Sequence, residues 1–183
     1  MFIEISILSQ LMGAPSHGYE IKKRTAERFG PYFVIRNNQL YPKLRSLEKD
    51  GFITKEIMVQ DGKPNRHIYS ITELGIGRFY ELLGTFPEEY AADEHEYLTR
   101  VGYFDILDEE AQQDILSKRR KVLCLEYEHM EYLMELRRKE KFIPYSKEYF
   151  QFSMDSIHKE LALIESLLQR YGMAEMRADA EEK

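Results

Sequence analysis

The chain has 183 residues, of which 43% are hydrophobic and 32% charged, so we expect it to bury a core and to be soluble. No apolar run reaches the ~20 residues that a membrane span needs. A single cysteine, Cys124, excludes an internal disulfide, and the N-terminus lacks the basic segment of a secretory signal, so we expect a cytoplasmic protein. The net charge of −6 is unevenly distributed along the chain. Residues 1–84 carry 12 basic and 9 acidic side chains, whereas residues 85–183 carry 14 basic and 23 acidic ones. Only the first part therefore suits contact with the phosphates of a nucleic acid.

The first predicted helix, Phe2–Met12, is apolar around most of its circumference and has Glu4 as its only charge. Such a helix has to be buried on more than one side. We expect one side to face its own domain and the other to face a partner.

Ser16 is the predicted N-cap of a second helix, His17–Phe29, because a short side-chain oxygen can accept a free backbone N–H.

Residues 37–51 predict a helix with an exposed polar first turn. Asn37 and Asn38 suit its start, Pro42 is tolerated in a first turn, and Gly51 ends it. A polar first turn on a well-anchored helix suits insertion into the DNA major groove. The alternative is an ordinary surface helix with a mixed face. Its apolar stripe consists of Leu40, Leu44 and Leu47, and its polar residues off that stripe are Gln39, Tyr41, Lys43 and Arg45.

Two predicted strands, Phe52–Gln60 and Arg66–Ile71, follow this helix. The Asp61-Gly62 pair between them is a strong hairpin signal. A hairpin directly after a helix of this type indicates a wing, whose tip would present donors to the DNA backbone or minor groove. The alternative is a tip that is polar only because it is solvated. The tip donors are Lys63, Asn65 and Arg66.

Thr72 is the predicted cap of a further helix, and residues 84–96 form an acidic segment that we interpret as a domain boundary. The prediction is therefore a winged helix-turn-helix domain over residues 1–84 and a helical domain over residues 85–183. The fold class is mainly α with a small β-hairpin.

The sequence pattern of the second domain predicts two long helices. The first starts after Asp108 and reaches about Glu140, and the second runs from about Ser146 to Tyr171. The last helix has apolar residues in steps of four and three, as in a coiled-coil seam. We expect this seam to form a dimer, with an intramolecular helix pair as the alternative. The seam consists of Phe150, Met154, Ile157, Leu161, Ile164, Leu168 and Tyr171.

Three separated motifs resemble the PadR family of bacterial winged helix-turn-helix regulators. The first is His17-Gly18-Tyr19-Glu20-Ile21, at the start of the second helix. The second is the run Leu40-Tyr41-Pro42-Lys43-Leu44-Arg45-Ser46-Leu47-Glu48-Lys49-Asp50-Gly51. The third is the wing segment from Gly62 through Pro64 to Tyr69, followed by Thr72-Glu73-Leu74-Gly75. The second half is similar, less distinctively, to the longer helical C-terminal domain of one branch of that family.

The resemblance implies a sequence-specific DNA-binding regulator, as a homodimeric repressor on an inverted-repeat operator. It also implies release by a small aromatic or hydrophobic effector, although the chain has no Trp on which to stack one. The expected dimer residues are Phe2, Ile3, Ile7, Phe150, Met154, Ile157, Leu161, Ile164 and Leu168. The expected DNA contacts are Tyr19, Lys22, Asn37, Asn38, Gln39, Tyr41, Pro42, Lys43, Arg45, Lys63, Asn65 and Arg66.

No pattern of catalytic residues is evident. His95-Glu96 lacks a second His at metalloprotease spacing, and Glu128-His129 with Glu131 is expected on a helix surface. Cys124 is expected to be a core thiol. We therefore expect no enzyme activity, no metal, no cofactor and no membrane partner. The alternative function is a helical protein–protein interaction module that does not bind DNA.

Overall fold

The computed structural model describes residues 1–30, 35–58, 66–139 and 146–181, with the backbone alone for residues 29 and 172–181. They group into two compact units. One consists of Met1–Thr85 with Leu98–Tyr103, and the other of Phe86–Tyr97 with Phe104–Lys183. The fold is mainly α with one small antiparallel sheet, as the sequence predicts. The functional division into residues 1–84 and 85–183 stays a prediction.

The first unit contains a winged helix-turn-helix. Its three strands are antiparallel in the order β1-β3-β2, with Ser16 opposite Tyr69 and Ile53 opposite Ile71. Strand β1 was not predicted, because two residues are too short to show alternation. The elements are α1 (Phe2–Gly13), β1 (Ser16–His17), α2 (Gly18–Phe29), α3 (Asn37–Lys49), β2 (Ile53–Met58), β3 (Arg66–Ile71) and α4 (Glu73–Gly84), followed by α5 (Glu94–Val101).

Helix α1 is the centre of this unit's core. It is buried from Glu4 to Leu11 and packs against α2, α3, α4 and β3. The expectation of a partner-facing side is therefore corrected for Ile7, which has no exposed surface within one chain. Phe2 and Ile3, in the first turn, are half-buried.

The start of α2 differs from the prediction by one residue. His17 is the N-cap, and its backbone N–H donates to Oε2 of Glu20 at 3.0 Å. Ser16 does not cap the helix, because it is paired in β1, where its hydroxyl contacts the carbonyl oxygen of Ala14 and the guanidinium of Arg24.

The start of α4 confirms the predicted cap at Thr72. Its Oγ1 accepts the N–H of Gly75 at 3.1 Å and donates to the carbonyl oxygen of Gly51 at 2.7 Å. A Cβ at Gly75 would lie 2.0 Å from the carbonyl oxygen of Phe52, so the helix can approach this backbone only through glycine. Gly51 ends α3 with a φ of +76°, a conformation that glycine tolerates without strain. The Thr-x-x-Gly motif thus joins α4 to the end of α3.

The second unit consists of an antiparallel helix pair, α6 (Glu109–Lys139) and α7 (Lys147–Glu181), with short 3₁₀ segments at Glu88–Tyr90 and Phe104–Ile106. Asp108 Oδ1 accepts the N–H of Ala111 at 2.8 Å, as expected of the N-cap of α6. Helix α7 continues past its predicted end at Tyr171 to Glu181. The antiparallel direction follows from three side-chain contacts, Gln112 with Tyr171, Arg119 with Glu160, and Tyr127 with His158.

The apolar seam of α7 packs against α6 of the same chain. Phe150, Ile157 and Ile164 are buried without a second copy. This corrects their assignment to a dimer interface in favour of the intramolecular helix pair. A heptad spacing specifies that a helix partner exists, but not which chain supplies it. The remaining seam positions, Met154, Leu161 and Leu168, are half-buried.

Candidate nucleic-acid interface

The face of α3 opposite its leucines is a stripe of exposed residues. At about 100° per residue, positions i, i+4, i+7 and i+11 share one side of a helix. The exposed stripe at this spacing consists of Asn38, Pro42, Arg45 and Lys49, and Leu40, Leu44 and Leu47 lie on the opposite, buried side. Lys49 is not among the residues predicted from the sequence, although its spacing from Arg45 and Asn38 is a signal for it.

The first turn of α3 is held by side chains that the sequence assigns to DNA contact. Gln39 Oε1 accepts the backbone N–H of Arg36 at 3.1 Å, which closes the turn. Lys22 Nζ donates to Asn37 Oδ1 at 2.8 Å and so connects α2 to α3. The helix is therefore capped by Gln39 and not by an asparagine. Only the NH₂ group of Gln39 remains available for base reading, and that role stays a prediction.

Tyr41 packs against the start of α2. A Cβ at Gly18 would lie 3.1 Å from Cε1 of the Tyr41 ring and 3.3 Å from its hydroxyl oxygen. Glycine allows this close approach, because both distances are tighter than an ordinary carbon contact and an added Cβ would push the Tyr41 ring away. The Tyr41 side chain is partly exposed, so it helps to set the position of α3 and still reaches the surface.

Lys43 does not belong to the exposed stripe. Its ammonium pairs with Oε2 of Glu4 in α1 at 3.1 Å, and Oε1 of the same carboxylate accepts Nε of Arg78 at 3.1 Å. Its charge is thus already matched inside the first unit, and the DNA contact expected of Lys43 would require this ion pair to open.

A cleft of about 810 Å³ lies beside the stripe, between the first half of α2, one edge of α3 and strands β2 and β3. Among the residues described, the side chains of Arg45 and Arg66 make no hydrogen bond or ion pair. In contrast, the cleft's Lys55 is paired with Glu48 at 2.9 Å. The cleft thus offers positive charge that is not held in an ion pair, from α3 and from the start of β3. Its aromatic lining comes from Tyr19, which is 73% exposed, and from Tyr41 and Tyr69.

Two contacts fix the walls of this cleft. His17 Nδ1 donates to the carbonyl oxygen of His67 at 2.9 Å, so the start of α2 is attached to β3. The hydrogen bond from the His17 backbone lowers the pKa of Glu20, which keeps that carboxylate charged as a cap. Burial raises the pKa of the Tyr69 hydroxyl, which lines the cleft.

Lys63 and Asn65, the other residues predicted at the tip of the wing, lie outside the described residues.

The same parts of the chain also bear on metal-binding, membrane-spanning and thiol chemistry. Within them, no three His, Cys, Asp or Glu side chains are placed to hold a metal ion. No helix in the described ranges has both the length and the apolar character that crossing a bilayer demands. Cys124 is exposed, which corrects its assignment to the core: the buried position is the neighbouring Leu123. Glu128, His129 and Glu131 are exposed on α6, as predicted.

Comparisons with known proteins show that part of this chain is similar to transcriptional regulators. Residues 7–81 match the family model described as the transcriptional regulator PadR-like family. The chain is 23% identical over 115 residues to the negative transcriptional regulator PadR of Bacillus subtilis (strain 168), covering 63% of each chain. It is 28% identical over 75 residues to the probable transcriptional regulator Rv1176c of Mycobacterium tuberculosis (strain ATCC 25618 / H37Rv), covering 41% of this chain and 40% of that protein. Both matches span less than two thirds of the relative's length.

A solved structure, that of Bacillus subtilis PadR in complex with operator DNA, is 19% identical to this chain with a TM-score of 0.43. The similarity covers 93% of this chain and 99% of that one.

Proposed function

We propose that this chain, whose residues 7–81 match the transcriptional regulator PadR-like family, binds double-stranded DNA sequence-specifically through α3. The observation that carries the proposal is the exposed stripe of Asn38, Pro42, Arg45 and Lys49 on a helix anchored by three buried leucines. A helix so anchored fits the major groove, where base edges present a distinct pattern of donors and acceptors.

Each part of the interface has a different task in this proposal. Arg45 is the base reader, because a guanidinium with no internal partner can donate two hydrogen bonds to the O6 and N7 of guanine. Lys49 and Tyr19 meet the phosphates that flank the groove. The cleft between α2 and the sheet receives the sugar-phosphate backbone of one strand, and Arg66 extends the contact toward the minor groove.

The proposed active form is a homodimer whose contact lies on the outer face of the helix pair. Phe152 is 72% exposed and Leu163 is 56% exposed, and they lie about three turns apart on one face of α7. Leu125 and Tyr132, seven residues apart on α6, are also exposed. Exposed apolar side chains repeated along one helix face are typical of an interaction surface.

A two-fold dimer would place two α3 helices roughly 34 Å apart and so require an inverted-repeat operator. The related B. subtilis protein is named a negative regulator. We extend this role to the present chain as a cytoplasmic repressor that occludes a promoter and is released by a small aromatic or hydrophobic effector.

In vitro selection from a random duplex library tests the proposal. The wild-type chain should enrich an inverted repeat. Arg45→Ala should weaken binding to the selected duplex by about 1–3 kcal/mol, because a bidentate base contact is lost. Arg138→Ala removes an exposed arginine on α6 and should leave binding unchanged. Failure to enrich any sequence would contradict the proposal.

A further inference from the structure

Glu4 is the only charged residue of α1, and it is 8% exposed at the centre of the first unit. Both of its carboxylate oxygens are occupied. Oε2 accepts Nζ of Lys43 from α3 at 3.1 Å, and Oε1 accepts Nε of Arg78 from α4 at 3.1 Å. A mostly buried carboxylate with two cationic partners is a strong local anchor for each of them.

The two cations depend on Glu4 to different degrees. Arg78 is also paired with Glu81 at 3.0 Å, and its guanidinium lies 5.7 Å from the centre of the Phe52 ring. Lys43 has no other ion-pair partner in the part of the chain that the structure describes. Removal of the Glu4 charge would therefore leave Arg78 held and set Lys43 free.

Lys43 is also close to the proposed DNA-binding face. It lies in the second turn of α3, one residue after Pro42 of the exposed stripe, and its side chain is 36% exposed. A lysine has three donors on a flexible stem of four carbons, so its ammonium can reach a neighbouring phosphate once it is not held elsewhere.

We propose that Glu4 is a specificity-determining residue that restrains non-specific DNA binding by holding Lys43 away from phosphate. The inference rests on the proposed function and deepens it. A lysine–phosphate contact adds affinity on any sequence, because it releases counterions and reads no base. By keeping Lys43 inside the fold, Glu4 leaves a larger share of the affinity to the base-reading side chains.

The test measures the binding of fluorescent random-sequence duplex as a function of salt for wild type, Glu4→Gln and Glu81→Gln. Glu4→Gln should bind the duplex about three- to tenfold more tightly at ~0.1 M salt, and its log–log salt slope should steepen by about 0.9 per bound copy. Glu81→Gln is the matched control: it removes the same charge from the same Arg78 cluster without contacting Lys43. It should leave the slope unchanged.

Lys43→Met shows whether the effect of Glu4→Gln on DNA binding comes from release of the lysine. In the wild-type background it should not alter the slope, because Lys43 is held by Glu4, and in the Glu4→Gln background it should restore the wild-type slope. The inference is overturned if Glu4→Gln behaves like Glu81→Gln. A shallower slope for Lys43→Met alone would also overturn it, and that measurement stands even if Glu4→Gln does not fold. Absence of DNA binding by every variant would instead contradict the proposed function itself.

Discussion

The ring of Tyr41, at the start of α3, lies so close to Gly18, at the start of α2, that a Cβ on Gly18 would be 3.1 Å from it. Two motifs separated in sequence, His17-Gly18-Tyr19 and Leu40-Tyr41-Pro42, thus form one contact. The close approach of α2 and α3 at this point depends on the absence of a side chain at Gly18.

Gly18→Ala should therefore separate stability from binding. Alanine favours a helix by about 0.5–1 kcal/mol, which offsets the crowding of Tyr41, so the free energy of unfolding should change by less than about 1 kcal/mol. The displaced α3 should weaken operator binding by about 1 kcal/mol, or roughly fivefold. Urea unfolding and fluorescence anisotropy measure the two quantities. Unchanged operator affinity would show that this contact does not position α3.

Two glycines of α4 should respond in opposite directions to the same substitution. A Cβ at Gly75 would lie 2.0 Å from the carbonyl oxygen of Phe52, whereas a Cβ at Gly77 meets nothing within 4 Å. Gly77→Ala should raise the free energy of unfolding by about 0.5–1 kcal/mol through helix propensity. Gly75→Ala should lower it by about 3 kcal/mol or more, because backbone must move. Similar urea midpoints for the two variants would contradict the packing at Phe52.

Adjacent arginines of α6 provide a second matched pair. Arg119 is buried, donates to Glu160 and to the carbonyl oxygen of Ala91, and stacks 5.2 Å from the centre of the Tyr97 ring. Arg120 is half-exposed and pairs with Glu165 at 2.8 Å. Arg119→Met should cost about 2–4 kcal/mol of unfolding free energy, because it leaves polar groups without partners. Arg120→Met should cost less than about 1 kcal/mol. Equal effects in urea unfolding would contradict the difference in burial.

The proposed dimer surface is tested by charge on α7. Phe152 and Leu163 are exposed within one chain, so replacing both with Asp should leave the helix pair folded and yield monomers by sedimentation. Such monomers should lose most operator affinity, since one half-site remains. Leu74→Asp, at an equally exposed leucine of the first unit, is the control and should stay dimeric. A dimeric double variant would place the interface elsewhere.

Local signals were sufficient for much of this fold. The leucine stripe of α3, the Thr72 cap, the Asp108 cap and strand β3 follow from residues that are close in sequence. Secondary-structure propensity, helix capping and the alternation of apolar and polar residues act over a few neighbouring residues. A short stretch of sequence is therefore enough to predict these elements. The two-residue strand β1 is the exception, because it exists only through pairing with β3.

The candidate site was less predictable because its charges are matched across long sequence separations. The position of Lys43 on α3 predicts a contact with DNA, whereas its ion-pair partner Glu4 lies in α1. The apolar seam of α7 predicts a helix partner but not its chain, because the spacing is the same whether that partner belongs to another chain or is α6. Side-chain partners of this kind are determined by tertiary packing and are not visible in a local pattern.

Methylation interference on the selected operator tests the central claim most directly. Methylation of guanine N7 blocks the major-groove acceptor that Arg45 is proposed to read, whereas methylation of adenine N3 lies in the minor groove. Wild-type binding should be lost when specific guanines in each half-site are methylated, and for Arg45→Ala this interference should disappear at one guanine per half-site. Interference confined to adenine N3, or a guanine pattern that Arg45→Ala leaves unchanged, would contradict the entry of α3 into the major groove.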